Sequence, residues 1–199
     1  MTKHLVREGY DKAAEAYLST RDKFNNLVYL QRLDALLMPH SLILDLGCGA
    51  GKPIDEYFVK HGHRVIGIDI SEKQIALARK HVPEGRFLVG DMMSILKSAY
   101  TADAVVSFYA IIHVPRTLHR ELFQKIHTLL RKSGYLLVTM GTRDWEGTEE
   151  NFHGVRMYWS HYGLERNRHM IKECGFEILI DEIDTSGGEK HQVILVRKR

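Results

Sequence analysis

Cysteine is scarce in this chain of 199 residues, which contains only Cys48 and Cys174. The two are far apart and form no C-x-x-C pair, which argues against a disulfide framework and is typical of a reducing compartment. The N-terminal residues mix acidic and basic side chains and lack the apolar stretch of a signal peptide. No uninterrupted apolar run approaches the roughly 20 residues of a membrane span. We therefore expect a cytoplasmic protein without a membrane segment.

An excess of one charge is also lacking, since 28 Lys and Arg residues face 25 Asp and Glu residues, a net charge of +3 at pH 7. The basic residues are scattered, apart from a short cluster at 197–199. This distribution gives no support for binding to nucleic acid or to a membrane. The twelve histidines show no H-E-x-x-H or similar ligand spacing, so we expect no metal site.

Short apolar runs alternate with segments of helical spacing along most of the chain. The runs cover residues 41–46, 64–70, 86–89, 104–108 and 135–140. Their length suits strands that are buried on both faces. Segments 72–81 and 116–131, which lie between runs, repeat apolar residues at helical spacing. This alternation predicts a parallel sheet with right-handed crossovers and helices on both faces.

The two ends of the chain have a different pattern. Runs 176–183 and 192–196 are joined by a Gly-rich link that is too short for a crossover helix, so we expect an antiparallel pair. Segments 4–19 and 24–38 resemble two helices before the first strand, the second ended by Pro39. The fold class is thus a doubly wound α/β fold whose seven-stranded, mostly parallel sheet carries an antiparallel C-terminal pair.

A glycine-rich loop follows the first predicted strand, in the stretch Asp45-Leu46-Gly47-Cys48-Gly49-Ala50-Gly51-Lys52-Pro53. Glycines there allow a tight turn and a close approach of a ligand to the backbone. A dinucleotide loop G-x-G-x-x-G would need glycine in place of Lys52. A phosphate-binding loop ending at Gly51 and Lys52 would need glycine in place of Leu46 and Ser or Thr in place of Pro53. Both loops are excluded by residue identity.

The remaining pattern, Asp45-x-Gly47-x-Gly49-x-Gly51, is followed by two further acidic positions. Asp69 ends the second predicted strand, and Gly90-Asp91-Met92 follows the third. In this order the motifs resemble those of the class I, Rossmann-like S-adenosylmethionine-dependent methyltransferases of the small-molecule type. The resemblance covers about residues 40–199. It implies a methyltransferase with S-adenosyl-L-methionine as cofactor, bound at the carboxyl edge of the sheet.

The resemblance also implies roles for particular residues. The loop would hold the methionine part of the cofactor, Asp69 the ribose hydroxyls, and Asp91 with Met92 the adenine. The implied cofactor-binding set is Tyr10, Asp45, Gly47, Cys48, Gly49, Gly51, Asp69, Ile70, Asp91, Met92 and Tyr109. An alternative for Asp69 is that it caps the helix beginning near Glu72, although Ser71 is the better-placed cap.

Two residues are candidates for catalysis. His113 lies just beyond the fourth strand and can take a proton from an acceptor, or it can merely pack on the following helix. Tyr10 belongs to the N-terminal pattern Tyr-Asp-x-x-Ala-x-x-Tyr, which closes over the cofactor in some relatives. Tyr10 and Tyr17 share a helix face, and for Tyr17 packing against the core is the favoured alternative.

We expect one domain, because 199 residues bury one sizeable core. It divides into a helical cap over 1–39, a cofactor-binding core over 40–140, a lid or acceptor loop over 141–160, and a last helix with a hairpin over 161–199. Aromatic residues in 141–160 suggest a partly apolar acceptor pocket, and docking onto a subunit would use the same residues.

The acceptor itself is not named by the sequence. The Asn/Asp-Pro-Pro-Tyr signature of enzymes that methylate amino groups of nucleic acids and glutamine is absent after strand four, where residues 107–110 read Ser-Phe-Tyr-Ala. A small molecule is therefore favoured. The alternatives are a protein or nucleic-acid acceptor, and a cofactor-binding regulatory protein without transfer activity.

Overall fold

A computed structural model describes residues 2–24, 26–96 and 100–199. Its strands are β1 (Leu42–Leu46), β2 (Arg64–Asp69), β3 (Arg86–Val89), β4 (Ala102–Ser107), β5 (Leu130–Met140), β6 (Trp145–Phe152), β7 (Val155–His161), β8 (Phe176–Asp184) and β9 (His191–Lys198). Its helices are α1 (Thr2–Leu18), α2 (Leu27–Asp34), α3 (Ile54–Lys60), α4 (Glu72–His81), α5 (His119–Leu129) and α6 (Leu164–Glu173).

Seven strands form one sheet in the order β3-β2-β1-β4-β5-β9-β8. The pairs among β1 to β5 are parallel, whereas β9 is antiparallel to both β5 and β8. The predicted doubly wound sheet with an antiparallel C-terminal pair is confirmed. The order reverses between β1 and β4, which is where this kind of sheet opens a crevice for a ligand at the carboxyl ends of its strands.

Helices cover the sheet on both faces, which explains the continuous apolar character of the strands. Adjacent residues Ile43 and Leu44 of β1 point to opposite faces, and both are fully buried. Leu44 packs in a cluster with residues of α5 and α6, and Ile43 packs in one with residues of α2 and α3. Burial on both faces removes the polar alternation that a half-exposed strand would show.

Two predicted helices are shorter in the structure. The segment 24–38 contains only α2, and Asn25 lies outside the described residues. Phe24 has an extended backbone and packs its ring against Tyr109, so no helix includes it. The segment 116–131 begins with a 3-10 turn at Arg116–Leu118, and α5 ends at Leu129, where β5 starts.

The segment 141–160 differs most from expectation. Instead of an irregular loop, it contains β6 and most of β7, which pair as a two-stranded antiparallel sheet. The chain reverses at His153 and Gly154, whose φ angles of 51° and 84° suit the left-handed geometry of a tight hairpin turn. The hairpin is held because Met157 and Tyr158 are buried in a cluster with Val6 of α1.

Other expectations from composition can be compared with the structure. Cys48 and Cys174 are free, buried thiols. None of the helices in the described ranges has the length and apolar character needed to cross a membrane. Within the same ranges, no cluster of three or more His, Cys, Asp or Glu side chains is placed to hold a metal ion.

Candidate functional site

A cavity of about 290 Å³ lies at the carboxyl edge of the sheet, beyond β1, β2, β3 and β4. Nine of the predicted cofactor-binding and catalytic residues line it: Tyr10, Gly47, Gly49, Asp69, Ile70, Asp91, Met92, Tyr109 and His113. Asp45 and Cys48 line a smaller adjoining cavity of about 30 Å³. Gly51 faces neither cavity, because it packs against Ala78 and Val82 of the α4 region.

The glycine loop takes its shape from two positions that require glycine. Gly47 has a φ of 84°, and a Cβ added there would lie 2.2 Å from the Cβ of Ala110. Its N–H donates to the carbonyl oxygen of Ile68 at 2.7 Å. Gly49 has a φ of 53° and faces the cavity. The loop therefore brings backbone directly to the cavity wall, as its sequence indicates.

Asp69 ends β2 and supports the glycine loop. Its carboxylate oxygens accept hydrogen bonds at 2.9 Å from the N–H groups of Gly49 and Ser71. Burial raises the pKa of the Asp69 carboxyl to about 6, although these backbone hydrogen bonds act in the opposite direction. The cap of α4 is Ser71, whose hydroxyl accepts from the N–H of Gln74 at 3.1 Å. Asp69 is thus free of the capping role and faces the cavity.

A pair of buried carboxyls lies beneath the loop. Asp45 of β1 is only 2% exposed, and Asp55 of α3 is fully buried. Burial raises the pKa of Asp45 to about 7 and that of Asp55 well above its ordinary value, and the nearby Asp45 raises the pKa of Asp55 further. Both burial and a neighbouring like charge disfavour the ionised form of a carboxyl. Among the described residues, neither oxygen of Asp55 has a hydrogen-bond partner.

Gln74 is a polar wall residue that the sequence motifs do not reveal. It is 1% exposed and lines both the main and the smaller cavity. Among the described residues, neither its amide nitrogen nor its amide oxygen has a hydrogen-bond partner. A buried amide without partners costs free energy unless a ligand or water satisfies it. Only the tertiary structure marks Gln74, because in sequence it is an ordinary helical residue.

Asp91 and Met92 form the opposite end of the cavity. One oxygen of Asp91 accepts from the N–H of Met93 at 2.9 Å, and the other lies 2.8 Å from the Nζ atom of Lys3. Lys3 belongs to α1 and also lines the cavity. The ion pair therefore joins α1 to Asp91, the acidic residue to which the family resemblance gives a role in adenine binding.

The N-terminal helix α1 lines the cavity, and polar contacts join it to the start of α4. Asp11 accepts from the hydroxyl of Ser71 at 2.6 Å and from the N–H of Lys73 at 3.2 Å. Arg7 donates to Glu72 at 3.0 Å. This attachment of α1 to the start of α4 is a feature that the sequence did not indicate.

Tyr10 and His113 form a hydrogen-bonded pair inside the cavity. The Tyr10 hydroxyl lies 2.8 Å from Nε2 of His113, and Nδ1 of His113 lies 2.7 Å from the carbonyl oxygen of Tyr158. A carbonyl can only accept, so Nδ1 carries the proton and Nε2 accepts from Tyr10. Burial lowers the pKa of His113 to about 4, so the imidazole is neutral. Burial also raises the pKa of Tyr10 well above its ordinary value.

Tyr109 lies between the cavity and the neighbouring aromatic residues. Its φ of 56° is left-handed, and its hydroxyl donates to Oδ1 of Asn26 at 2.9 Å. The ring packs against Phe24 and His191. A residue with a left-handed backbone and a hydrogen-bonded side chain is typically held in that conformation by the residues packed around a functional site.

A match to known proteins agrees with this geometry. Residues 43–134, which span β1 to the first part of β5, match the family model described as a methyltransferase domain. This part of the chain is thus similar to a methyltransferase domain. The methyltransferase match covers the glycine loop, Asp69, Asp91 and His113, and leaves α1 and the β6–β7 hairpin outside it.

Curated methyltransferases share part of the sequence of this chain. A 24-methylenesterol C-methyltransferase 2 of Oryza sativa subsp. japonica is 29% identical over 169 residues, which are 76% of this chain and 46% of that protein. A ubiquinone biosynthesis O-methyltransferase of Coxiella burnetii is 27% identical over 124 residues, which are 60% of this chain and 51% of that protein. The chain thus spans about half the length of the curated relatives it matches.

Solved structures share the methyltransferase fold at low sequence identity. A magnesium protoporphyrin IX methyltransferase from Synechocystis PCC 6803, crystallised with bound SAM, has a TM-score of 0.75 at 16% identity and covers 100% of this chain and 98% of its own. A 1,6-didemethyltoxoflavin-N1-methyltransferase of Burkholderia thailandensis has a TM-score of 0.76 at 18% identity and covers 96% of this chain and 86% of its own. At these identities the likeness shows the fold.

Proposed function

We propose that this protein transfers a methyl group from S-adenosyl-L-methionine to a small-molecule acceptor. The observation that carries the proposal is one cavity in which the glycine loop and Asp69 lie together with the Tyr10–His113 pair. The glycine loop and Asp69 provide polar groups that can bind a nucleoside with an amino-acid tail. Tyr10 and His113, in the wall of the same cavity, can move a proton. The methyltransferase family match supports this assignment.

The residues present fit the cofactor. Asp69 offers carboxylate oxygens for the two ribose hydroxyls, and Met92 offers an apolar surface for the adenine ring. The unpartnered amide of Gln74, beside Gly49, can donate to a carboxylate or accept from an ammonium group of the amino-acid tail. When bound, the cofactor supplies an activated methyl group on a positively charged sulfur.

The protein's part in such a transfer is mainly to orient the partners and exclude water. α1 lines the cavity, and Val6 and Tyr10 of this helix form part of its wall. A methyl acceptor that carries an O–H or N–H proton must also lose that proton. We assign this step to the Tyr10–His113 pair.

The hydrogen bonds define the direction of proton movement. The Tyr10 hydroxyl donates to Nε2 of His113, which leaves the oxygen lone pairs of Tyr10 available to the acceptor's proton. The acceptor would give its proton to the Tyr10 oxygen, and the Tyr10 proton would move to Nε2 of His113. The carbonyl oxygen of Tyr158 then accepts from Nδ1 of the imidazolium. Release of one proton to water restores the pair.

Three observations support a small acceptor. The sterol and ubiquinone-pathway relatives and the toxoflavin enzyme are named for small-molecule substrates. The cavities beside Tyr10 are enclosed by aromatic side chains, which include Phe152 and Trp159 of the hairpin. The small net charge of +3 offers little attraction for nucleic acid.

The proposal is tested by incubating the protein with S-adenosylmethionine labelled in its methyl group and a fractionated metabolite extract. We expect the label in a low-molecular-weight product, whose identification names the acceptor. A His113→Ala protein serves as the matched control for background transfer. Label found only in protein or RNA added to parallel reactions would overturn the choice of acceptor, and binding of the cofactor without any transfer would overturn the activity.

A further inference from the structure

A third cavity, of about 140 Å³, adjoins the cavity of about 290 Å³, with Tyr10, Tyr17 and Tyr109 in the walls of both. Arg21, in the short 3-10 turn after α1, also lines it. The same side chain lines the small cavity of about 30 Å³ next to Gly47 and Gln74. Arg21 thus lies where the region of the glycine loop meets the aromatic pocket.

The Arg21 guanidinium is buried, with only 6% of the residue exposed. Its carbon atom lies 4.5 Å from the ring centre of Tyr109, 5.3 Å from that of Phe24 and 5.4 Å from that of Tyr17. One N–H donates to the Tyr17 hydroxyl at 3.3 Å. Aromatic rings can hold a cation in place but leave its N–H donors without acceptors in the ring plane.

No carboxylate forms an ion pair with Arg21 among the side chains that the structure describes. Asp45 and Glu189 are near enough to interact with it electrostatically. Glu189 is instead paired with Nε2 of His191 at 2.8 Å, and Asp45, which is 2% exposed, forms no ion pair with the side chains that the structure describes. A buried cation normally has a paired anion, because its removal from water is otherwise uncompensated.

We propose that Arg21 is a carboxylate-binding residue of this site. Its planar fork can donate two parallel hydrogen bonds to a carboxylate, which lysine cannot do. The carboxylate has two possible sources, the amino-acid tail of the cofactor on the side of Gly47 and the acceptor on the side of the aromatic pocket. The first source rests on the proposed function, whereas the second requires only that the pocket binds a planar anion.

The cofactor source is tested by calorimetry with S-adenosylhomocysteine, which has the carboxylate, and with 5′-methylthioadenosine, which lacks the amino-acid tail. Arg21→Met should weaken S-adenosylhomocysteine binding by about tenfold or more and leave 5′-methylthioadenosine binding unchanged. Arg32→Met is the matched control, because Arg32 also stacks on a tyrosine but is paired with Glu182 and lines none of these cavities.

The acceptor source is tested with 1-naphthoate and its neutral analogue 1-naphthamide, by ligand-observed NMR in the presence of saturating S-adenosylhomocysteine. Loss of naphthoate binding in Arg21→Met, with naphthamide unaffected, would assign the carboxylate to the acceptor. If neither S-adenosylhomocysteine nor naphthoate binding depends on Arg21, the inference is wrong.

Two further measurements keep these outcomes separate. If the melting temperature shows that Arg21→Met does not fold, Arg21→Lys replaces it. This variant keeps the positive charge but cannot donate two parallel hydrogen bonds. We therefore expect it to lose most of the affinity that the ligand carboxylate contributes. A wild-type protein that fails to bind S-adenosylhomocysteine would contradict the proposed function, whereas unchanged binding in a folded Arg21 variant would contradict only the cofactor source.

Discussion

The hydroxyl of Tyr10 and Nε2 of His113, from residues 103 positions apart in sequence, lie 2.8 Å from each other in the cavity wall. Because Nδ1 of His113 is engaged by the Tyr158 carbonyl, Nε2 is left to accept from Tyr10. This arrangement connects the N-terminal helix with the end of β4. In the mechanism that we propose, Tyr10 meets the acceptor and His113 lies behind it.

Removal of the imidazole should therefore affect turnover more than binding. We expect His113→Ala to lower kcat by about 10² to 10⁴ while the affinity for S-adenosylhomocysteine stays nearly unchanged. Tyr10→Phe keeps the ring and should lower kcat by a similar factor, because both variants break the same proton path. Steady-state kinetics on the identified acceptor, with calorimetry for binding, measure these effects.

His119→Ala is the control for His113→Ala, because His119 is also a buried neutral imidazole but lies outside the cavity. We expect His119→Ala to lower the free energy of unfolding and to leave kcat unchanged. Wild-type turnover in a folded His113→Ala enzyme would leave orientation of the partners as the whole mechanism.

The pH dependence should separate cofactor binding from transfer. Burial raises the pKa of Asp69 to about 6 and lowers that of His113 to about 4. Ribose hydroxyls bind the ionised carboxylate, so affinity for S-adenosylhomocysteine should be constant above about pH 7 and decrease below about pH 6, approaching tenfold per pH unit. At saturating cofactor, turnover should persist to about pH 5, because His113 remains neutral. Calorimetry measures the pH dependence of the affinity, and kcat profiles measure that of turnover, both from pH 5 to 8. A decrease in kcat centred near pH 6.5 would contradict a buried, neutral His113.

Asp69→Ala should weaken S-adenosylhomocysteine binding by at least about tenfold. Hydrogen bonds to a charged group are worth roughly 1.5 to 3 kcal/mol each, and this change also removes the acceptor for the Gly49 N–H in the loop. Wild-type protein should in addition bind S-adenosylhomocysteine more tightly than NAD, since Lys52 occupies the third glycine position of a dinucleotide loop. An unchanged dissociation constant in a folded Asp69→Ala protein would place the ribose elsewhere.

The buried pair of Asp45 and Asp55 should make stability decrease as pH rises. Unfolded carboxyls have pKa values near 3.9. The folded pair keeps its protons to a higher pH, since Asp45 titrates near 7 and Asp55 above its ordinary range. Stability from this pair is thus complete below about pH 4 and is lost as pH rises toward 7. Asp55→Asn removes one of these protons and should reduce the slope of unfolding free energy by up to about 1.4 kcal/mol per pH unit.

The measurement for Asp55→Asn is urea unfolding at several pH values between 5 and 8. Glu84→Gln, a change at an exposed carboxyl in the turn before β3, is the control and should leave the slope unchanged. Equal slopes in wild type and Asp55→Asn would mean that the pair is ionised in the folded protein.

Local sequence patterns were sufficient to predict the main sheet and the glycine loop. Runs such as 64–70 and 104–108 are continuous and apolar because their strands are covered on both faces, and that burial is visible in sequence. Gly47 needs a positive φ and has Ala110 against it, so the glycine is required by the backbone itself. The hairpin of β6 and β7 was missed because β6 is polar and has no fully buried residue, although His153 and Gly154 at its turn were a usable signal.

The sequence by itself determined which seven segments form the main sheet, the class of loop and the acidic residues that end β2 and follow β3, because each depends on neighbours within a few positions. Only the tertiary structure decided which side chains share the cavity. Tyr10 and His113 meet, Gln74 loses its hydrogen-bond partners, and Arg21 is buried among aromatic rings because separate elements pack together. Burial and charge pairing arise from contacts between residues distant in sequence, so no local pattern contains them.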